Sequence, residues 1–217
     1  MVRPPFPLTA ADVVDDAPVI PVIVLEEVAR AVPMARALVA GGIRMLEVTL
    51  RTPAALECIR AIAREVPEAV VGAGTARRSA DVQAAARAGA RFIVSPGYHP
   101  ELGRACRGEG LALLPGVATA SEIMAAGEDG FEVLKFFPAS AAGGAALLQA
   151  WSGPFGDVRF CPTGGIHPGN AGQYLALPNV ACVGGSWLTP ARALAQGDWP
   201  AIEALAREAA ALRPQPR

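Results

Sequence analysis

Short apolar, β-rich runs alternate along this chain with alanine-rich segments of helical rhythm. The runs are 19–25, 45–50, 69–75, 92–96, 111–117, 131–137, 158–162 and 180–184. Between them lie 32–40, 54–65, 80–88, 100–109, 120–126, 145–151 and 169–176, each long enough for at least a short helix. A strand followed by a helix, repeated through the chain, predicts an α/β fold, and the number of repeats favours a single (β/α)8 barrel of the TIM type. The spacing is too tight for an antiparallel sandwich, and an open doubly wound sheet is the competing architecture. Glycines at 41, 42, 89, 108, 110 and 127 punctuate the helix ends. Thr9-Ala10-Ala11-Asp12 has the form of a capping box, so residues 1–17 are expected to hold a lead-in helix. A final amphipathic helix is expected at about 199–212, and no linker divides residues 1–217 into two domains.

In a strand, alternate residues share a face. Met45, Glu47, Thr49 and Arg51 therefore oppose Leu46, Val48 and Leu50, polar against aliphatic. With the aliphatic side under the helices, Glu47, Thr49 and Arg51 point inward; an edge strand with a solvated polar face is the plainer alternative. In the run 131–137, Phe131, Val133, Lys135 and Phe137 share one face, against Glu132, Leu134 and Phe136.

Lys135 changes the picture, because it is the only lysine in the chain. Lysine is almost never fully buried without a partner or a role. Desolvation favours the neutral form of an amine, and the neutral amine is the nucleophile that condenses with a ketone to a Schiff base. A lysine that snorkels to the strand end and pairs with a carboxylate is the bland alternative. Methionine at this position is expected to fold well, since it removes the cost of burying a charge.

Two glycine-bearing turns follow late strands: Pro162-Thr163-Gly164-Gly165, and Gly184-Gly185-Ser186. Glycine lets backbone N–H groups approach an anion, and barrels often hold phosphate on the loops after their seventh and eighth strands. His99 and His167 have no ligand-like spacing, and no metal site is expected. No P-loop, GxSxG or GxGxxG motif is present.

The bulk properties narrow the partners. The 217 residues are 52% hydrophobic and 18% charged, with a net charge of −1, which argues against nucleic acid and against a membrane surface. The start, residues 1–7, lacks the long apolar core of a signal peptide. Cys58, Cys106, Cys161 and Cys182 form no CxxC pair and read as reduced, which fits the cytoplasm.

Several segments together carry a resemblance. They are Leu46-Glu47-Val48-Thr49-Leu50-Arg51-Thr52, Val71-Gly72-Ala73-Gly74-Thr75, Ser95-Pro96-Gly97, Lys135-Phe136-Phe137-Pro138-Ala139, Cys161-Pro162-Thr163-Gly164-Gly165-Ile166 and Gly184-Gly185-Ser186-Trp187. In order and spacing, over about 18–190, the chain resembles the 2-keto-3-deoxy-6-phosphogluconate (KDPG) aldolases. These are class I, Schiff-base enzymes that release pyruvate and glyceraldehyde 3-phosphate.

The resemblance implies a role for each matching residue. Lys135 is the Schiff-base nucleophile and Glu47 the general acid/base. Arg51 and Thr75 hold the pyruvate carboxylate. Pro96 and Phe137 line the pocket, and Thr163 controls stereochemistry at the aldehyde. Gly164, Gly165, Gly184, Gly185 and Ser186 bind the substrate phosphate. It further implies a small-molecule substrate, no cofactor and a homotrimer. Aldolases acting on 4-hydroxy-2-oxoglutarate or on the galactonate epimer share the lysine and the pyruvate half, and remain open as alternatives.

Overall fold

The computed structural model describes residues 7–212, so the start of the chain at 1–6, including most of the segment read against a signal peptide, lies outside the described residues. The lead-in helix is α1 (Ala10–Asp15), and its capping box forms as the sequence predicts. The Asp12 backbone N–H donates to Thr9 Oγ1 at 3.1 Å, and the Thr9 N–H donates to Asp12 Oδ2 at 2.8 Å.

The strands that follow are β1 (Val19–Ile23), β2 (Met45–Thr49), β3 (Val70–Gly74), β4 (Phe92–Val94), β5 (Ala112–Leu114), β6 (Gly116–Val117), β7 (Val133–Phe136), β8 (Arg159–Pro162) and β9 (Val183–Gly185). The helices between them are α2 (Ala31–Ala40), α3 (Ala55–Glu65), α4 (Ser79–Arg87), α5 (Pro100–Gly108), α6 (Ala120–Glu128), α7 (Gly144–Trp151), α8 (Pro168–Leu175) and α9 (Ala191–Gln196), with α10 (Trp199–Ala210) last. A 3₁₀ turn at Val28–Arg30 and helix α9 are additions to the sequence reading.

All the strand pairs are parallel. They form a curled sheet in two pieces, one ordered β5-β4-β3-β2-β1-β9 and the other β6-β7-β8. The single continuous eight-stranded ladder expected from the repeats is therefore realised only in part. Between β5 and β6 stands Pro115, and β8 ends at Pro162; proline has no N–H to give a ladder. Across the seam from β8 to β9 the pairing reduces to two isolated bridges, Phe160 with Val180 and Thr163 with Gly184.

Strand alternation sorts the apolar residues into two clusters. Val19, Ile23, Leu46, Val48, Val71, Ala73, Ile93, Leu113, Leu134, Phe136, Phe160 and Val183 face outward and pack under the helices. Ile20, Met45, Val70, Phe92, Val94, Ala112, Leu114, Val133, Cys161 and Cys182 form the inner cluster. Leu8, Val13 and Val14, from α1 and the residues before it, belong to this inner cluster too. Arg159 pairs with Asp15 at 2.7 Å, and Arg44 pairs with Asp16, tying the end of α1 to the strand starts. The inner space is thus apolar where the strands begin. Phe131 departs from the alternation: it precedes β7 and packs in the helix layer, its ring 5.3 Å from that of Tyr98.

Candidate active site

The C-terminal half of the inner face is polar. Glu47 and Thr49 on β2, Lys135 on β7 and Thr163 just after β8 are all buried. Such burial of polar groups in an apolar fold requires partners. Thr49 Oγ1 donates to the Ile23 carbonyl oxygen at 2.9 Å. Lys135 and Glu47, with only 4% and 2% of their surface exposed, find each other, Nζ to Oε1 at 3.3 Å.

Their 88-residue separation in the chain is closed by the sheet. Phe136, on the outer face of β7, is wedged against Trp151, with ring centroids 5.2 Å apart, and Trp151 in turn packs 5.6 Å from Phe160 of β8. This aromatic stack holds the strand that carries the amine. On the other side, the Lys135 ammonium position lies 5.2 Å from the centre of the Phe137 ring.

A cavity of about 330 Å³ has Phe137, the ring beside the Lys135 amine, in its wall, while Lys135 and Glu47 themselves do not line it. Arg51, Phe137, Thr163 and both glycine turns, through Ser186, are among its walls. The guanidinium of Arg51 donates from Nε to Thr75 Oγ1 at 3.2 Å. Thr75 is the one non-glycine described residue with left-handed backbone, at φ 62°. Such a conformation is costly for a β-branched residue and is kept where surrounding structure imposes it. Gly164 and Gly165 have φ of 98° and 75°, a turn that excludes side chains. The turn is braced from behind: the Gly165 carbonyl accepts from Ser140 Oγ at 3.2 Å and from Asn170 Nδ2 at 2.9 Å. Thr163 is held by its backbone, its N–H donating to the Phe136 carbonyl at 2.9 Å.

A buried amine and carboxylate beside a glycine-walled cavity with a guanidinium are suited to a small molecule carrying a carbonyl and an anionic group. Residues 11–205 match the family model for the aldolases described as KDPG and KHG aldolase. The chain belongs to that family.

The KDPG and KHG aldolases most similar to it include the KHG/KDPG aldolase of Escherichia coli K12, 53% identical over 93% of this chain and 94% of that protein. The 2-dehydro-3-deoxy-phosphogluconate aldolase of Pseudoalteromonas atlantica is 50% identical over 94% of this chain and 95% of that one. Among solved structures, the KDPG aldolase of Legionella pneumophila, crystallised with pyruvate captured as a covalent carbinolamine, superposes with a TM-score of 0.90. It is 46% identical and is matched over 93% of this chain and 98% of its own.

Against this family background, the fold brings Glu47 to Lys135 and Arg51 to Thr75. It gathers Phe137, Thr163, Gly164, Gly165, Gly184, Gly185 and Ser186 at the cavity. Pro96 stands apart from that cavity; its carbonyl packs against Gly116, the residue in register with Lys135. The sequence reading missed Val22, Val24 and Ile166 in the cavity wall, and the bracing Ser140 and Asn170. The signal for Val22 was that it shares the inner face of β1 with Ile20; Ser140 and Asn170 act through turns that carry no periodic signal. Both histidines are helix N-caps: His99 Nδ1 accepts from the Glu101 N–H, and His167 Nδ1 from the Gly169 N–H. Among the described residues, no three His, Cys, Asp or Glu side chains gather as a metal-binding group.

Proposed function

We infer that this chain is a class I aldolase that reversibly cleaves 2-dehydro-3-deoxy-6-phosphogluconate to pyruvate and glyceraldehyde 3-phosphate. One observation carries the reading: a single buried lysine amine lies 3.3 Å from a buried carboxylate. The names of relatives about half identical to this chain support it, and so does the pyruvate carbinolamine seen in the Legionella enzyme.

In this reading Lys135 Nζ adds to the C2 carbonyl, and loss of water leaves a cationic iminium. Glu47 takes the proton of the C4 hydroxyl. The C3–C4 bond breaks, its electrons pass to the iminium as an enamine, and the aldehyde departs. The proton held by Glu47 returns to C3, and water releases pyruvate from Lys135. Proton transfer of this kind contributes roughly 10²–10⁴ in rate. Arg51 and Thr75 hold the pyruvate carboxylate, Arg51 through a planar fork matched to it. The glycine turns take the phosphate on their backbone N–H groups, and Ser186 adds its side-chain hydroxyl. Thr163 faces the aldehyde carbon and sets its configuration, and Pro96 and Phe137 flank the reacting chain. No metal or organic cofactor takes part in these steps.

The same two residues serve any aldol with a pyruvate half. Cleavage of 4-hydroxy-2-oxoglutarate is a second reading, supported by the double name of the Escherichia coli relative. An assay of KDPG, its galactonate epimer and 4-hydroxy-2-oxoglutarate side by side decides the preference. Borohydride reduction in the presence of pyruvate tests the mechanism: a stable adduct on Lys135 is expected, and its absence would overturn the reading.

The finer architecture belongs to the same proposal. The two sheet pieces are read as one closed (β/α)8 barrel, supported by the two bridges that join the β8 and β9 edges. A homotrimer, the assembly the resemblance implies, is proposed with it and is checked by light scattering. The described residues contain no helix long and apolar enough to cross a membrane. Four buried free thiols suit a reducing compartment, and the cytoplasm is proposed.

A further inference from the structure

The inner face of β3 is nearly bare. Its inward positions are Val70, Gly72 and Gly74, while Val71 and Ala73 face the helices. Neither glycine is among the positive-φ residues, so no backbone conformation demands glycine there. What demands it is space. A Cβ on Gly72 would enter the ring of Phe92, and a Cβ on Gly74 would overlap Oε1, Cγ and Cδ of Glu47. The missing side chains of β3 are thus replaced by one ring from β4 and one carboxylate from β2. The arrangement recurs elsewhere: a Cβ on Gly184 would meet Thr163 Oγ1, and one on Gly116 would meet the backbone of Pro96.

We propose that Gly74 is a positioning residue for the reaction: its empty inner face is the seat in which the Glu47 carboxylate lies within reach of Lys135. This rests on the reading of Glu47 as the acid/base. The Nζ–Oε1 separation of 3.3 Å is already long for a charged hydrogen bond. Glu47 is in register with Gly72, yet its side chain lies over Gly74, two residues along the neighbouring strand. The smallest side chain at Gly74 swings the carboxylate away, while Lys135, on the other piece of the sheet, keeps its place. Carbinolamine formation at Lys135 survives, and proton transfer at C4 and C3 loses its geometry. Misplacing a catalytic group by about 1 Å costs roughly 10²-fold.

The test is Gly74→Ala alone and in the Glu47→Asp background. Expected for Gly74→Ala is a fall in kcat of roughly 10²-fold with KM changed less than about threefold. Exchange of pyruvate methyl protons should slow in parallel, with borohydride trapping at Lys135 retained. Aspartate is one methylene shorter and stops short of the seat. In that background Gly74→Ala should cost no more than about twofold, a non-additivity expected only if the two positions share space. A wild-type kcat in Gly74→Ala, or losses that multiply in the double variant, would overturn the proposal.

Should Gly74→Ala fold poorly, the same clash is read from stability. The substitution should lower the denaturation midpoint when Glu47 is present and not when it is alanine; equal losses in both backgrounds overturn it. Glu47→Gln with undiminished turnover would sink the assignment of the base, and this stability cycle would still report whether Gly74 seats the side chain.

Discussion

Lys135 and Glu47 form a buried ion pair, and neither half is well served by removal of the other. Breaking a buried pair from one side costs about 3 kcal/mol or more, because a charge is left without its partner. A methionine at 135, which sequence alone suggests should fold well, thus leaves the Glu47 carboxylate buried and alone. Lys135→Met should lose turnover and pyruvate trapping, and should be destabilised by about 3 kcal/mol in urea titration. Adding Glu47→Gln should restore most of that loss, and an unchanged stability in the single variant would deny the pairing. Glu47→Gln alone keeps the amine and a side chain of the same size. It should retain borohydride trapping while cleavage slows by roughly 10²-fold or more. Turnover near wild type would require a base elsewhere.

The strands and turns that present these residues have separable duties. The glycine turns after β8 and β9 meet Arg51 at one cavity. Ser186→Ala is expected to raise KM for a phosphorylated substrate roughly tenfold, the worth of one charge-assisted hydrogen bond. KM for an unphosphorylated pyruvate aldol should move little, and equal effects on both would argue against a phosphate site there. Helix α1 closes the other end through its capping box. Hydrogen bonds from the Thr9 side chain and backbone hold the Asp12 carboxyl below its ordinary range. A depressed acid stabilises the fold above its unfolded pKa, and that contribution is lost as pH falls through the folded value. Asp12 is partly exposed and the cap lies at the surface, so Thr9→Ala should cost only about 0.5 kcal/mol at pH 7. The difference from wild type should shrink progressively as pH falls from about 4 through the lower folded value of Asp12, where the charge the cap favours is neutralised. A difference that widened in acid would contradict this.

The molecule as a whole shields its thiols. Burial pushes Cys58 up to about 11 and Cys106 to about 12, and raises Cys182 well above its ordinary value. All four cysteines are buried, so they should resist alkylation at pH 7 in the native protein and react together on unfolding. Fast labelling of any of them in the native state would show an opening this packing does not allow. The architecture was legible in the sequence because strand and helix periods differ and because outward positions are apolar almost without exception. Lys135 and Glu47 were legible because charge inside an apolar run needs a reason. Legibility failed where order along the chain says little about position in space: the break at Pro115, the bridges that replace a ladder beside β9, and Phe131, which leaves the strand early to pack on Tyr98. The sequence by itself determined the alternation of elements, the inward face of β2 and the residue types on which the chemistry rests, all local properties written in periodicity and composition. Only the tertiary structure decided that Glu47 is the partner of Lys135, that Ser140 and Asn170 brace the Gly165 turn, and that Gly74 is empty for the sake of a carboxylate. These are contacts between distant segments, set by how a parallel sheet curls and which side chains fill the space it encloses.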